Sequence, residues 1–370
     1  MTKFKIPFVD LKLINTPYKK KFISLLNQSI DQSNFIKGKK NDLLEKKLCK
    51  IFKSKNALNL NSGTDALIVA IKSLDLKKND EIITTSNTWI SSAYAIELNN
   101  CKPVFVDVKK SDFQMDCDLL EKKLTKRTKA ILVTHLYGYP NDMEKISKFA
   151  KKNNLYIIED IAQAHLAKFK NKIVGNFGDV ACLSFYPSKN LGALGDAGAI
   201  LTNSNTLYKK CKSFANYGSL DFRKPNHKII GINSRMDEVQ AGFLLEKLSD
   251  LKLQTNKRIK LAKEYDQKCK RISLQFINSK KNFTNVYHIY PIIVKNRDTI
   301  KNKLRKRNIQ TQIHYEIPIH LQTAFKHLNY KKGDLPVTEF LSKNILSLPF
   351  YPGIDKKKIN YLFKNLELIL

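Results

Sequence analysis

Short, almost wholly apolar segments alternate with helical patterns between residues 57 and 160, and this alternation constrains the fold more than any other feature. The segments predicted as strands are Ala57–Leu60, Glu81–Thr85, Pro103–Asp107, Ala130–Thr134 and Leu155–Ile158. Helices are predicted between them, for example over residues 65–73 and near 89–99. Strands that are apolar along their whole length are typical of a parallel sheet covered by helices on both faces. The sequence therefore predicts an α/β fold with a large, mostly parallel sheet.

The remainder of the chain predicts a second, smaller domain. A length of 370 residues is sufficient for a large α/β core and a further domain. A long amphipathic stretch from Asp237 to about Lys270 connects the two, and the segments Val286–Val294 and Asn344–Pro349 are predicted as strands of a small α+β domain. We therefore predict a large domain over residues 1–245 and a small C-terminal domain over residues 246–370.

The formal net charge of +33 raises the hypothesis of a basic nucleic-acid-binding protein, because phosphate neutralisation dominates such binding. Only 8 of the 66 basic residues are arginine, however, and arginine is the residue that binds phosphates and bases through two hydrogen bonds at once. The lysines are spread along the whole chain rather than gathered in a stripe. This distribution favours solvated helix faces, so nucleic-acid binding remains a remote alternative.

Nothing in the sequence predicts a membrane protein or a secreted protein. The chain has no run of 18 apolar residues, and the start Met1–Pro7 lacks the apolar core of a signal peptide. Six scattered cysteines show no CxxC spacing, which favours reduced thiols. We therefore expect a cytoplasmic protein.

One lysine and one aspartate stand where ligands bind in parallel sheets, beyond the carboxyl ends of the strands. Lys189 follows an apolar strand in a loop with glycines at 192, 195 and 198, and Asp160 follows the strand Leu155–Ile158. A lysine amine and a carboxylate are the two fixed groups that pyridoxal phosphate requires. The amine forms a Schiff base, and the carboxylate keeps the pyridine nitrogen protonated. The two residues alone do not identify such a site.

Three further motifs each have a functional and a structural interpretation. Asn61–Leu67 is a strand-to-helix turn that could bind a phosphate or could simply cap a helix. Trp89 follows a strand and could stack on a pyridine ring or belong to the core. Gln163 lies three residues after Asp160, on the same side of a nascent helix, and this motif could be only a capped helix start.

Taken together and in this order, the motifs resemble those of the DegT-type nucleotide-sugar aminotransferases, a branch of the fold type I pyridoxal phosphate enzymes. The resemblance covers nearly the whole chain. Its motifs are SGTDAL at 62–67, KPVFVDV at 102–108, TKAILVTHLYGYPNDM at 128–143, IIEDIAQAH at 157–165, SFYPSKNLGALGDAGA at 184–199, NYGS at 216–219, GINSRMDEVQAG at 231–242 and HYEIPIHLQ at 314–322.

The resemblance implies a role for each matching residue around the cofactor ring. Lys189 would be the Schiff-base lysine, and Asp160 would be the partner of the pyridine nitrogen. Gln163 would lie near the cofactor hydroxyl, and Trp89 would stack on the ring.

The same resemblance implies a phosphate site shared between two subunits. Gly63, Thr64 and Ser184 would hold the phosphate. Asn233 would reach the cofactor phosphate of the neighbouring subunit, which requires a homodimer with shared active sites. The chain departs from the family pattern at Leu166 and at Ala197, where the family usually has glycine.

Four residues are candidates for the substrate pocket. Tyr315 and His320 lie in a loop that contributes to the sugar pocket in related enzymes. Arg235 could meet an anionic group of the donor or nucleotide, or could pair with a neighbouring acid, and Tyr217 could line the pocket or simply pack. His314 and His320 have no third ligand at a suitable spacing, so no metal is predicted.

The resemblance implies an aminotransferase that takes an amino group from L-glutamate and delivers it to a keto carbon of a nucleotide-linked sugar. The motifs NYGS and GINSRMDE are most similar to those of the group that acts on TDP-3-keto-6-deoxyhexoses, and the 4-keto group is the alternative. A sugar dehydratase on the same fold carries histidine at the lysine position, so Lys189 argues against it. A regulatory protein that senses pyridoxal phosphate is a further alternative.

Overall fold

The protein was analysed as a computed structural model that describes residues 4–221 and 226–370. Its strands are β1 Asn56–Leu60, β2 Glu81–Thr85, β3 Lys102–Val106, β4 Thr128–Thr134, β5 Tyr156–Asp160, β6 Lys168–Phe169, β7 Lys172–Ile173, β8 Val180–Ser184, β9 Gly198–Thr202, β10 Gln275–Phe276, β11 Phe283–Thr284, β12 Tyr290–Ile293 and β13 Ile345–Leu348. Its α-helices are α1 Leu11–Asn15, α2 Lys19–Asp31, α3 Lys39–Phe52, α4 Gly63–Ser73, α5 Ser91–Glu97, α6 Met143–Lys152, α7 Asn205–Phe214, α8 Glu238–Leu248, α9 Leu251–Arg271, α10 Arg297–Lys306, α11 Pro336–Asn344 and α12 Lys356–Ile369.

A seven-stranded sheet in the order β1-β9-β8-β5-β4-β2-β3 forms the centre of the molecule. The pairs β2–β3, β2–β4, β4–β5 and β5–β8 are parallel, whereas β9 runs antiparallel to both of its neighbours. The predicted α/β class with a mostly parallel sheet is confirmed. Because only β9 is reversed, the carboxyl ends of β1, β2, β4, β5 and β8 meet at one edge of the sheet.

Helices cover both faces of this sheet, which explains why its strands are apolar along their whole length. Ile82 and Leu132 pack with α4, α5 and α7 on one face. Ile83 and Val133 pack with α6 on the other face, where α3 and α8 also bury apolar side chains. Successive residues of a strand point to opposite faces, so each strand needs apolar side chains on both sides.

A second, antiparallel sheet in the order β10-β12-β13 packs against α9, α10 and α12 near the end of the chain. Its core includes Tyr265, Ile292 and Phe363, and Ile6 from the start of the chain also belongs to it. The division of the chain into domains at residue 245 stays a prediction.

The segment predicted as one strand over Val286–Val294 is only partly a strand, because β12 begins at Tyr290. The preceding residues use their backbone groups elsewhere. The N–H of Val286 donates to the carbonyl of Gly138, and the N–H of His288 donates to the carbonyl of Tyr137. These bonds hold the segment against the large sheet and bring His288 near the candidate site.

Within the described parts of the chain, no helix combines the length and the apolar character needed to cross a bilayer. All six cysteines are free thiols.

Candidate active site

Lys189 lies in the loop that joins β8 to β9, over residues 185–197. The loop folds back on itself, because the N–H of Phe185 donates to the carbonyl of Ala197 at 2.8 Å and the N–H of Ala193 donates to the carbonyl of Phe185 at 2.7 Å. These bonds fix the backbone on both sides of the lysine. This geometry agrees with the sequence prediction that the lysine lies just past the end of a strand.

The electrostatic surroundings of Lys189 favour its neutral form. Burial lowers the pKa of its amine to about 8, while the negative charge of Asp160 acts in the opposite direction. A lysine with such a pKa carries an appreciable neutral fraction near physiological pH, which a nucleophile or general base requires.

Three histidines surround the lysine, and the sequence reasoning assigned none of them to the active site. Burial lowers the pKa of His165 to about 3 and that of His314 to about 4, and it also lowers the pKa of His288. The positive charge of Lys189 adds to the lowering in each case. All three rings are therefore neutral and hydrogen-bond without adding charge.

Asp160 is the last residue of β5 and is 7 % exposed. Its Oδ1 accepts the N–H of Ala162 at 3.0 Å, and its Oδ2 accepts the hydroxyl of Ser92 at 3.4 Å. Burial raises the pKa of this carboxyl, whereas the N–H of Ala162 and the charge of Lys189 act to lower it. A cation close to Oδ2 would stabilise the ionised form of this buried group.

Gln163 is oriented by the protein, although not by the helix that was expected. Residues 161–167 form turns rather than a helix, so that expectation was wrong. The side-chain Oε1 of Gln163 accepts the N–H of Tyr137 at 2.8 Å, and therefore its Nε2 donates to the hydroxyl of Tyr315 at 3.2 Å. The hydroxyl proton of Tyr315 is then free to point at a ligand.

Trp89 lies at the mouth of the site and is 58 % exposed. Its ring centre is 5.6 Å from that of Tyr315, with the planes inclined by 46°. An aromatic ring with this much free surface is not a core residue, so the structural alternative for Trp89 is wrong. Its face is available to a planar ligand.

The turn after β1 presents backbone donors at the start of α4. Ser62 caps the helix by accepting the N–H of Asp65 at 3.0 Å. No residue within 4–221 or 226–370 accepts the N–H groups of Gly63 and Thr64. The hydroxyl of Thr64 lies 2.8 Å from that of Ser91. Free N–H groups at a helix N-terminus form a site for an anion such as a phosphate.

Two glycines permit the close approach that builds this turn. A Cβ atom at Gly63 would lie 2.6 Å from the Cβ of Ser184, and one at Gly198 would lie 2.3 Å from the carbonyl of Ser62. The lack of side chains at these positions therefore brings the start of α4 against the end of β8.

These residues fit pyridoxal phosphate on the evidence of the structure. The amine of Lys189, the buried carboxylate of Asp160, the free N–H groups of Gly63 and Thr64 and the hydroxyl of Ser184 all lie at the same edge of the sheet. Each group matches a different part of the cofactor, namely the aldehyde, the ring nitrogen and the phosphate. Their individual roles stay predictions.

Asn233 lies outside this buried group. It is exposed, and its side chain makes no hydrogen bond to any residue that the structure describes. The next residue is anchored to the start of α4, because the hydroxyl of Ser234 donates to Asp65 at 2.7 Å and accepts the N–H of Asn61 at 3.2 Å. The backbone next to Asn233 is thus anchored, while the Asn233 side chain is exposed.

Arg235 and Tyr217 contact each other on the same side of the molecule. The guanidinium carbon of Arg235 is 5.8 Å from the centre of the Tyr217 ring, which is 44 % exposed. Glu238, one of the acids considered as a partner for Arg235, instead accepts the N–H groups of Gly38 and Lys40 at the start of α3. The roles of Arg235 and Tyr217 towards a substrate stay predictions.

His320 is buried, and both of its ring nitrogens have partners within the protein. Its Nδ1 lies 2.8 Å from the hydroxyl of Ser86, and its Nε2 lies 3.3 Å from the carboxylate of Glu339. Burial lowers its pKa. The structure thus places Tyr315 in the site and His320 behind it, and a substrate role for His320 stays a prediction.

Sequence reasoning missed Ser92, His165, Asn190 and His288. His165 and Asn190 had a signal, because they lie in the motifs 157–165 and 184–199 that carry Asp160 and Lys189. Ser92 and His288 reach the site only through folding: the hydroxyl of Ser92 donates to Asp160, and Nδ1 of His288 lies 3.3 Å from Oδ1 of Asn190. No group of three or more potential metal ligands occurs among the residues described by the structure.

The sequence matches that of the DegT/DnrJ/EryC1/StrS aminotransferase family over residues 17–367. A protein of Geobacillus stearothermophilus named pleiotropic regulatory protein is 36% identical, covering 98% of this chain and 97% of its own. A dTDP-3-amino-3,6-dideoxy-α-D-galactopyranose transaminase of Aneurinibacillus thermoaerophilus is 39% identical, covering 96% of each chain.

The fold was also compared with solved structures. The crystal structure of DesV from S. venezuelae superposes with a TM-score of 0.95 at 32% sequence identity. The similarity covers 99% of this chain and 98% of that one.

Proposed function

Because the chain belongs to the DegT/DnrJ/EryC1/StrS aminotransferase family, we propose that it transfers an amino group from L-glutamate to the C3 keto carbon of a dTDP-linked keto-deoxysugar. The protein is an aminotransferase of fold type I, and pyridoxal 5′-phosphate is its cofactor, as the sequence predicted. The observation that carries the catalytic assignment is the low pKa of Lys189 beside the carboxylate of Asp160.

Lys189 is the group that moves the proton. When bound, pyridoxal phosphate supplies an electron-accepting ring that stabilises negative charge on the carbon next to the reacting nitrogen. The Nζ of Lys189, neutral in an appreciable fraction because its pKa is about 8, takes the proton from the α-carbon of the amino donor. It later returns a proton to the carbon of the sugar that receives the nitrogen.

Asp160 holds positive charge at the far end of the site. Its Oδ1 is occupied by the N–H of Ala162, so Oδ2 is the oxygen available to hold a proton on a ring nitrogen. The carboxylate is rigid, because it ends β5 and is buried. A carboxylate fixed beside a protonated nitrogen in a buried site stabilises that positive charge more than the same group does in water.

Gln163, Tyr315 and Trp89 would orient the substrates. The N–H of Tyr137 fixes the amide of Gln163, and this amide in turn leaves the hydroxyl proton of Tyr315 available to a ligand. The exposed face of Trp89 excludes water from one side of a planar ring.

Two features support a homodimer in which Asn233 completes the phosphate site of the partner. The side chain of Asn233 is exposed and has no hydrogen-bond partner among the described residues. The nearby residues Ile229 and Ile230 are 46% and 95% exposed, which is unfavourable for large apolar side chains unless a second surface covers them. A two-fold pair would cover this face on both subunits. The free cysteines support the proposed cytoplasmic location.

The choice of a 3-keto sugar rests on two observations. The motifs at 216–219 and 231–242 are most similar to those of the 3-keto group, and the relative that is 39% identical is named for a 3-amino product. A 4-keto nucleotide sugar remains the second candidate.

A panel assay tests the proposal. Purified protein with pyridoxal phosphate and L-glutamate is given 3-keto and 4-keto sugars linked to dTDP or UDP, and the amino sugar formed is identified by mass spectrometry and NMR. We expect turnover with a dTDP-linked 3-keto-6-deoxyhexose. Faster turnover with a 4-keto or UDP-linked sugar would show that the proposed sugar substrate is wrong. Faster turnover with L-glutamine or L-alanine than with L-glutamate would show that the proposed amino donor is wrong.

The same assay separates the remaining alternatives. A sugar dehydratase would release the oxygen without incorporating nitrogen. A regulatory protein, the function suggested by the name of the 36% identical relative, would bind cofactor without turnover. A nucleic-acid-binding protein would retain duplex DNA at physiological salt, and weak, salt-sensitive binding would exclude specific recognition.

A further inference from the structure

A cavity extends to the loop that carries Lys189. It lies between the start of the chain, the junction of α8 with α9 and the turn at residues 352–353, and its volume is about 360 Å³. Of the residues predicted to bind the cofactor, only Lys189 lines it. Lys189 and the neighbouring Asn190 line the cavity, whereas Asp160, Trp89 and Ser184 do not. Its volume is within the usual range for small-molecule sites.

Two buried cations line this cavity without an acidic partner. Lys247 and Arg258 are 7% and 4% exposed. The amine of Lys247 donates to the carbonyl of Gly192 at 2.5 Å and to Oδ1 of Asn15 at 3.0 Å, and Arg258 donates to the carbonyl of Tyr287 at 3.1 Å. Within the described residues, no carboxylate lies within 4.0 Å of either cation.

Two buried cations without a carboxylate partner are energetically unfavourable unless an anion binds to them. Buried charges are normally paired, and an unpaired one is strongly destabilising. The one carboxylate that lines the cavity belongs to Asp250, which accepts the hydroxyl of Tyr18 at 2.7 Å. Lys257 also lines the cavity, so Lys247, Arg258 and Lys257 face a single carboxylate there.

Six of the other lining residues are apolar, beside Tyr18, Asn190, Gln254 and Gly353, and this apolar surface restricts the kind of anion that fits. The apolar residues are Leu13, Ile14, Pro17, Leu251, Leu253 and Pro352. An inorganic anion would leave this surface without a partner, whereas a carboxylate on a short carbon chain would cover it. We propose that the cavity binds a short aliphatic carboxylate, whose oxygens are held by Lys247 and Arg258.

The protonation of Lys247 gives the proposed binding a pH dependence. Burial lowers its pKa to about 8, so the amine loses its proton as the pH rises through that value. A bound anion stabilises the protonated amine. Binding should therefore be tightest below about pH 8 and weaken above it, and the weakening should be absent when the amine is removed.

Calorimetric titration with glutarate tests the proposal, because glutarate has neither an amino nor a keto group and cannot react with the cofactor. The holoenzyme is compared with Lys247→Met and with Lys252→Met, a control that removes an exposed lysine of α9 outside the cavity. We expect Lys247→Met to weaken binding at least about tenfold, the order of one lost charge-assisted contact. Lys252→Met should remain within twofold of wild type.

A second variant keeps the test decisive if Lys247→Met fails to fold, as judged by circular dichroism. Leu253→Trp places a larger ring at the exposed rim of the cavity and should block glutarate while leaving both cations in place. The proposal is overturned if glutarate does not bind, or if it binds equally to both variants, which would place it in the catalytic site. Tighter binding of inorganic phosphate at matched ionic strength would also overturn it.

Discussion

The region around Lys189 and Asp160 differs sharply from the region around Tyr217 and Asn233. In the first, the functional side chains are buried and contact groups of the same chain. In the second, the ring of Tyr217 is 44 % exposed, and the Asn233 side chain has no partner in the described part of the chain. The comparison supports the proposal that one chain contains the proton-transfer groups and that the second region contacts another molecule.

We expect the largest effect from a substitution in the buried region. Lys189→Ala should reduce turnover on the order of 10⁴-fold or more, because no other described amine is held beside Asp160. Cofactor should still bind through the remaining groups. Steady-state assays and cofactor absorbance measure both outcomes. Borohydride treatment should attach cofactor to Lys189 in the wild type, and a labelled peptide containing a different lysine would contradict the assignment.

A smaller loss is expected when the charge at the far end of the same region is removed. Asp160→Asn keeps the shape and the N–H contact from Ala162 but cannot hold a protonated nitrogen. We expect a loss on the order of 10²-fold in kcat, because the removed contact is charge-assisted and buried. Ser92→Ala is the matched control, since it removes only a 3.4 Å contact to the same carboxylate. Activity of Asp160→Asn within a few-fold of wild type would assign the role to another group.

Subunit mixing tests whether the exposed region acts on a second chain. Asn233→Ala and Lys189→Ala are each expected to be nearly inactive as homodimers. In hybrids, one of the two sites has both groups intact, so random pairing should restore about a quarter of wild-type activity. Exchange is verified by mass-tagged subunits. If exchange occurs without rescue, Asn233 acts in its own subunit, where Ser234 is anchored beside the start of α4.

The smallest expected effect concerns the protonation of Lys189 in cofactor-free protein. Its reactivity towards a slow acylating reagent should rise with pH and reach half of its maximum near pH 8, because only the neutral amine reacts. Asp160 raises the pKa of this amine, so Asp160→Asn should move the midpoint to lower pH. Quantitative peptide mapping follows Lys189. An unchanged midpoint in the variant would show that the two groups are not coupled.

The sequence alone predicted the sheet and the positions of its strands because each strand is apolar on both faces. The predicted segments at 81–85 and 130–134 coincide with β2 and with most of β4. The segment 286–294 was predicted less well. Its apolar residues indicated burial, but which carbonyls its N–H groups reach depends on Tyr137 and Gly138, which are far away in the sequence.

The candidate site, like the fold, could be predicted from the sequence only in part. Lys189, Asp160 and Gln163 could be identified because motifs at strand ends carry them, and strand ends converge in any parallel sheet. The orientation of the Gln163 amide, the low pKa of Lys189 and the three neutral histidines could not, since each depends on distances between segments more than a hundred residues apart or on burial. The sequence determined which chemical groups are present and at which edge of the sheet they lie. Only the tertiary structure decided their protonation, their partners and which side chains remain free for another molecule, because desolvation and hydrogen bonding are properties of the packed chain.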